Sequence, residues 1–586
     1  MSGDVDRSPP PSTTHRAIPD YLQPCIVQQE VSRYTAVDQA VWRFVLLMLQ
    51  ERLARTAHAS YVRGLARSAI SAEHIPSIEE IDRGLSNIGW GAVCVDGFIP
   101  PRAFQAFQAL GILPIAAEIR TPEHLPYTPA PDIIHEAAGH APILADPVYA
   151  AYLRAIGGVG GRAFSSPADA RVDRAVRALS DLKEHPRDDA ALGAAEIELE
   201  RAIAELGPPS EAARVARLYW WTAEYGLVGS PADYRLYGAG LLSSLGESHF
   251  CHGSSVQKRV LSPECTLQGY DITRPQPQLF VARDFEHLHD VLGAVTETLA
   301  HRVGGRMAVQ AALASRELCT LHLAGGAQVI GLLLAAEAGQ SGDFELASFE
   351  SGTALAHEGH LLGRFAQGLA VPLGRLADGA DPRQVLGDVA GHLDANGQLH
   401  VAYASGLRIT GVPTEGPFPA AGVLLWLRDF RLEYRGRSIA QAAPYPWLCS
   451  EGVLTASAGS SSPDVSPVES AMGRAPAERQ RVPKPKALSA AGTRLERLYA
   501  RAREARHGGP GAAAALEQVR VELEASCPHE WLLVWNVLDA LIELGVAEGP
   551  LVAALERRLS WLEAHYEGRH PVAAGLGYLS ARKRHR

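Results

Sequence analysis

The chain has 586 residues, 47% of them hydrophobic, and a formal charge of −10 from 55 Lys and Arg against 65 Asp and Glu. That length exceeds what one core usually supports, so two or three domains are expected, and the negative balance argues against nucleic acid as a partner. Seven cysteines form no CxxC pair, Met1 to His15 lacks the apolar centre of a secretory signal, and Phe44 to Leu49 is far too short to cross a bilayer, so the expectation is a cytoplasmic protein with no membrane segment.

Residues 1–30, polar and rich in Pro and Ser at their start, read as a disordered N-terminus. Thr35-x-x-Asp38 predicts a capping box opening a long amphipathic helix with Val37, Val41, Phe44, Val45, Met48 and Leu49 on one side, and Ser77-x-x-Glu80 predicts a second, shorter helix. A short strand at Ala92 to Val95 enters a turn at Asp96-Gly97 and then meets Pro100-Pro101. Asp132 is placed to cap a helix starting at Ile133. Charges and alanines alternate at helical spacing over Ala168 to Glu205, which predicts a solvated helical hairpin inserted at about 160–215. The domain that contains these elements is expected to run over 31–301. Beyond it, short apolar or alternating stretches bounded by glycine (Cys319 to Leu323, Val329 to Leu334, Leu399 to Tyr403, Val423 to Tyr434) predict a β-rich domain at 302–450. Residues 451–488, loaded with Ser, Pro, Gly and charge, read as a linker. Four helices are predicted in a C-terminal module at 489–586, available for a protein partner or self-association, and Arg582 to Arg586 is expected to be a disordered basic tail.

The most informative motif is His135-Glu136-Ala137-Ala138-Gly139-His140, followed by Glu224 within Tyr219-Trp220-Trp221-Thr222-Ala223-Glu224-Tyr225-Gly226. A zinc metalloprotease helix carries its histidines at i and i+4. Here the second comes at i+5, about 140° round an ideal α-helix from the first, so a regular helix of that type is excluded. Both imidazoles can still reach one metal if His135 sits at or before the first turn and only His140 lies on the helix proper. Two imidazoles and one carboxylate hold one face of an Fe(II) ion and leave the opposite face open. Glu224, flanked by aromatic residues, is costly to bury unless it is paired or metal-bound. A zinc-dependent hydrolase with Glu136 as base is the competing class. The clusters His357-Glu358-Gly359-His360 and His249-Phe250-Cys251-His252 lack a supporting carboxylate block, and there is no Walker A sequence or GxSxG elbow.

Three ordered blocks carry a resemblance. They are Ile119-Arg120 with Tyr127 to Pro142, Tyr219 to Leu227, and Tyr237-Gly238-Ala239-Gly240-Leu241-Leu242-Ser243-Ser244-Leu245-Gly246-Glu247. Together they closely resemble the pterin-dependent aromatic amino acid hydroxylases over roughly Gly89 to Phe280, most of all the long bacterial phenylalanine 4-monooxygenases. The resemblance implies a mainly α catalytic domain of the aromatic amino acid hydroxylase type, Fe(II) and a tetrahydropterin as cofactors, and O2 and an aromatic amino acid as substrates. It assigns His135, His140 and Glu224 to the metal, and Gly97, Phe98, Ile99, Phe104 and Glu136 to the pterin. Arg120, Thr128, Asp132, Trp220 and Ser243 fall to the amino acid, while Glu136 and Tyr219 stand beside the reacting atoms. Trp220 matches the residue of phenylalanine and tyrosine hydroxylases, where tryptophan hydroxylases carry phenylalanine, so L-phenylalanine to L-tyrosine is the first expectation, with tyrosine, tryptophan or a modified phenylalanine as alternatives. The sequence departs from the family at Pro100 and Pro101, which replace hydroxyl or apolar residues, and at Pro114, which replaces a histidine.

Overall fold

The computed structural model describes residues 18–584 except 69, 98, 126–130, 185–188, 272–273, 442, 463–464, 466–489 and 566–568. The long helix Ala36–Thr56 opens on the predicted capping box, with the Asp38 amide donating to Thr35 Oγ1 at 3.2 Å and the Thr35 amide donating to Asp38 Oδ2 at 2.8 Å. It is not one-sided. Val41, Trp42, Phe44, Val45, Leu46, Leu49 and Leu53 are all buried, and a helix apolar all round is one enclosed on all sides. One hydrophobic core joins residues between Ala40 and Leu299 to residues between Leu498 and Leu579. A second holds Phe164 and residues between Ala300 and Ala458.

The enclosure comes from the C-terminal helices Ala490–Arg506, Ala512–Ser526, Trp531–Glu543, Pro550–His565 and Arg569–Arg584. Phe44 meets Trp531 and Trp535 edge-on, with ring centroids 5.1 and 4.8 Å apart. Beside it Arg43, 2% exposed, donates to Asp539 at 2.9 Å and to Glu543 and Glu73 at 2.8 Å each. The expected basic tail is a helix as far as Arg584, because Arg582 pairs with the buried Asp539 and with Glu543, and Lys583 with Glu556. His585 and Arg586 lie outside the described residues.

In the β-rich region one seven-stranded and one five-stranded sheet are described. The first includes Leu318–Leu323, Ala327–Ala338, Phe344–Phe349 and Thr353–His357; the second is built around Leu424–Tyr434. Val453–Ala458, read from sequence as linker, is an edge strand antiparallel to Leu318–Leu323, and it buries Ala456, Ser457 and Ala458. The rest of that linker is mostly outside the described residues. At the other end residues 18–30 are held in place rather than disordered: Leu22 and Cys25 pack with Val93, Val95, Ala103, Phe107 and Ile112, and the Val27 amide donates to the Cys94 carbonyl at 3.0 Å. The inserted hairpin is formed by Pro167–Glu184 and Asp189–Ala204. No helix among the described residues is long and apolar enough to cross a membrane.

Phe44→Ala removes the ring that seats both tryptophans, and is expected to destabilise the chain by about 3–5 kcal/mol, measured as a lowered urea midpoint of the transition reported by tryptophan fluorescence.

Candidate metal centre and amino-acid site

Ile134–His140 is a π-helical turn, closed by the Ala141 amide donating to the Glu136 carbonyl. Both histidines therefore lie in the turn, not one before it and one on an α-helix. Hydrogen bonds from i+5 to i widen the helix by one residue and return His135 and His140 to one side, their rings 5.1 Å apart and 88° to each other. Gly139 permits this. A Cβ there would stand 2.8 Å from the Ala239 carbonyl oxygen and 3.1 Å from the Ala239 Cβ. Glu224 ends a second π turn, Trp220–Glu224, continuing the helix Glu211–Tyr219 and marked by the Tyr225 amide donating to the Trp220 carbonyl at 2.9 Å.

Glu224 lies between the imidazoles, Oε2 3.2 Å from His135 Nε2 and Oε1 3.1 Å from His140 Nε2. The protons can be placed from geometry. The Ser243 hydroxyl stands 2.7 Å from the Ala239 carbonyl, which can only accept, so that hydroxyl donates there and accepts from His135 Nδ1–H at 3.0 Å. In a neutral imidazole the other nitrogen then carries a lone pair, and His135 Nε2 faces Glu224 acceptor to acceptor. Such a gap calls for a cation between them, and two imidazole nitrogens with one carboxylate suit Fe(II). Glu136 is the other carboxylate within reach: donor atoms of His135, Glu136 and His140 lie within 4.8 Å of one another. Charge separates the two. Burial, with Glu224 and Asp132 nearby, pushes the Glu136 carboxyl up to about 8. Burial alone would also raise Glu224, yet its interactions with the His140 and His135 imidazoles hold it well below the usual carboxylate range. Glu136 Oε2 and His140 Nδ1 are buried without a hydrogen-bond partner among the described residues, which leaves a polar place beside the turn for a further ligand.

Arg120 sits under this centre, 4% exposed. Its Nε and Nη2 donate to the two Asp132 oxygens at 2.8 and 2.7 Å, and Nη1 donates to the Ser243 carbonyl at 3.2 Å. Asp132 also accepts from the His135 amide at 2.9 Å. Burial would raise the Asp132 carboxyl, but Arg120 outweighs it and holds the group below the usual range. The Ser243 hydroxyl, expected to meet the amino acid, donates to Ala239 and accepts from His135.

Tyr219 extends the site: its ring is 6.5 Å from His140 and 5.8 Å edge-on from Phe104, and its hydroxyl accepts from Gln108 Nε2 at 2.7 Å. Trp220 stacks on Tyr270 at 4.2 Å and lies 4.7 Å from Tyr225. Gly97, at φ +57°, stands two residues past the end of the strand Gly91–Val95, and Ile99 packs against the cluster around Phe107. Phe98 and Thr128 lie outside the described residues. Gln108, Tyr270 and Glu247 carry no signal of their own in the sequence, although Glu247 falls within the third family-like block. Glu247 accepts from the Tyr225 hydroxyl and the Gln276 amide, and burial pushes its carboxyl up to about 7.

Two outcomes follow from these bonds. Ser243→Ala leaves His135 free to change tautomer and is expected to weaken Fe(II) binding by about 10–100-fold, read by anaerobic competition with a chelator. Glu247 has a folded-state value above its ordinary 4.5, so the fold favours its protonated form. Its contribution is full below about 4.5 and is lost as pH rises to about 7, an effect on the order of 3 kcal/mol. Denaturation midpoints of the parent chain should therefore fall relative to Glu247→Gln across that window.

A family described as biopterin-dependent aromatic amino acid hydroxylase matches residues 27–166 and 190–308, and the gap covers the first helix of the inserted hairpin. The phenylalanine-4-hydroxylase of Chromobacterium violaceum is 31% identical over 265 residues, covering 45% of this chain and 75% of its own. That of Caulobacter vibrioides is 30% identical over 297 residues, covering 50% of this chain and 81% of its own. With most of each relative's length matched, and with the paired imidazoles, Glu224 and the Arg120–Asp132 pair all falling inside the matched stretch, this chain belongs to the biopterin-dependent aromatic amino acid hydroxylases.

Proposed function

We propose that the chain hydroxylates the ring of L-phenylalanine to give L-tyrosine, with Fe(II) and a tetrahydropterin as cofactors and O2 as oxidant. The observation that carries this reading is the convergence of His135 Nε2 and His140 Nε2 on the ionised Glu224, 3.2 and 3.1 Å from its two oxygens, beside a buried guanidinium suited to an amino-acid carboxylate. The two phenylalanine-4-hydroxylases at 31% and 30% identity support the choice of substrate.

Each residue then has a task. His135, His140 and Glu224 hold the iron by one face. Iron and pterin together supply the activation of O2, the hard chemistry of the reaction. Ser243 keeps His135 in the tautomer that offers Nε2 to the metal. Asp132 occupies the Nε–Nη2 edge of Arg120, so the remaining N–H bonds of Nη1 and Nη2 point to where the substrate carboxylate would bind. Glu136, whose Oε2 is buried without a hydrogen-bond partner among the described residues, offers a polar group to the pterin side, and Phe104 and Tyr219 present an aromatic wall there. Trp220, fixed by Tyr270 and Tyr225, borders the substrate ring. Burial of His140, Glu136 and Arg120, none more than 5% exposed, keeps water from the reacting atoms.

Anaerobic loading with Fe(II), then phenylalanine, tyrosine and tryptophan in competition with added tetrahydropterin, should yield tyrosine from phenylalanine as the main product. Chelation should abolish turnover and Fe(II), but not Zn(II), should restore it. Glu224→Gln is expected to lose bound iron and at least about 100-fold in rate, and Arg120→Lys to raise the KM for phenylalanine by about tenfold through loss of a bidentate site. Turnover without pterin, or restoration by zinc, would refute the reading.

A further inference from the structure

We propose that Arg52 is a positioning residue for the amino-acid site, through which the C-terminal helices set the geometry of the segment 236–248. This rests on the reading of Arg120 and Ser243 given above.

Arg52 lies on the enclosed helix Ala36–Thr56 and reaches across to the segment that carries Ser243. Its Nη1 donates to the Leu245 carbonyl and to Ser248 Oγ, each at 2.8 Å. The Ser248 hydroxyl donates in turn to Leu245 O at 3.3 Å, the Ser248 amide to Ser244 O at 3.1 Å, and the Glu247 amide to Ser244 Oγ at 3.2 Å. One guanidinium thus closes the turn that follows Ser243. Ser243 is the residue whose carbonyl takes Arg120 Nη1 and whose hydroxyl takes His135 Nδ1–H. Just past the end of the same helix the His58 amide donates to Leu236 O at 2.8 Å, which fixes the other end of the segment.

The opposite end of the helix is gripped by the C-terminal helices. Glu496 accepts from the Ala36 amide and, at 3.2 Å, from the Val37 amide. Arg43 is buried against Asp539 and Glu543. Arg43 and Arg52 stand nine residues apart in one unbroken helix, a separation of about 14 Å. A rigid element fastened at one end to residues 496–543 and at the other to residues 236–248 transmits any displacement of the former to the latter.

The test uses the full chain. Arg52→Ala is expected to raise the KM for phenylalanine about tenfold, the effect of one charge-assisted hydrogen bond, with kcat changed by less than about threefold. Arg52→Lys should recover part of this, and added guanidinium ion should restore Arg52→Ala. Hydrogen exchange should rise at the amides of residues 239–248 and not across the chain. Asp539→Asn should move KM and the same amides in the same direction; where it does not fold, Glu496→Gln serves, since it loosens the N-terminal grip without opening the core. Tyrosine formation with unchanged KM and exchange in Arg52→Ala, or exchange raised throughout the chain, overturns the positioning role. Unchanged KM and exchange in Asp539→Asn or Glu496→Gln overturns the link to the C-terminal helices. A parent chain that forms no tyrosine overturns the functional reading and this inference with it.

Discussion

One carboxylate organises the centre. Asp132 accepts from the backbone amide, Nε and Nη2 of Arg120 and from the amide of His135, so the group proposed to meet the substrate and the turn that carries both histidines share a single anchor. A buried anion is tolerated only when its lone pairs are filled and a counter-charge is close; Asp132 has both. The arrangement also fixes distance. Neither the guanidinium nor the π turn can shift without breaking a bond to the same side chain, and in the proposed function this joint placement would hold the amino acid and the metal at a fixed separation.

Much of the centre was legible in the sequence because its chemistry is local. The i+5 spacing ruled out a regular zinc helix, and the blocks around Arg120, Glu224 and Ser243 named the partners. Conformation was less legible. Whether His135 precedes a helix or sits inside a π turn is a matter of backbone hydrogen bonding, and the approach of Gly139 to Ala239 is a contact between segments; spacing alone reveals neither. Ser243 went to the substrate in the sequence reading, and its bonds to His135 and Ala239 are visible only in the distances. Gln108 had no local mark at all: a glutamine within an amphipathic helix is ordinarily a surface residue.

The same limit governed the larger organisation. The β-strands beyond residue 318 announced themselves through alternation and glycine, but Val453–Ala458 lies in a Ser-rich stretch and is a strand only because Leu318–Leu323 offers it an open edge. The helix Ala36–Thr56 showed one apolar stripe in the sequence, but that Phe44 within it would meet Trp531 and Trp535, and that Trp42 and Leu46 outside it would also be buried, depended on segments far along the chain. Arg582 and Lys583 looked like a solvated tail because Asp539 and Glu556, their counter-charges, belong to other helices.

That shared core orders events in time as well as in space. The helix that begins at Ala36 leaves the ribosome well before the residues that close over it, Trp531 to Leu579, which lie almost 500 positions further along the chain. At ordinary rates of synthesis the interval is on the order of 30–100 s. Throughout it Phe44 and its apolar neighbours have no C-terminal cover, so the nascent chain carries an adhesive surface that only the arrival of Trp531 and Trp535 removes.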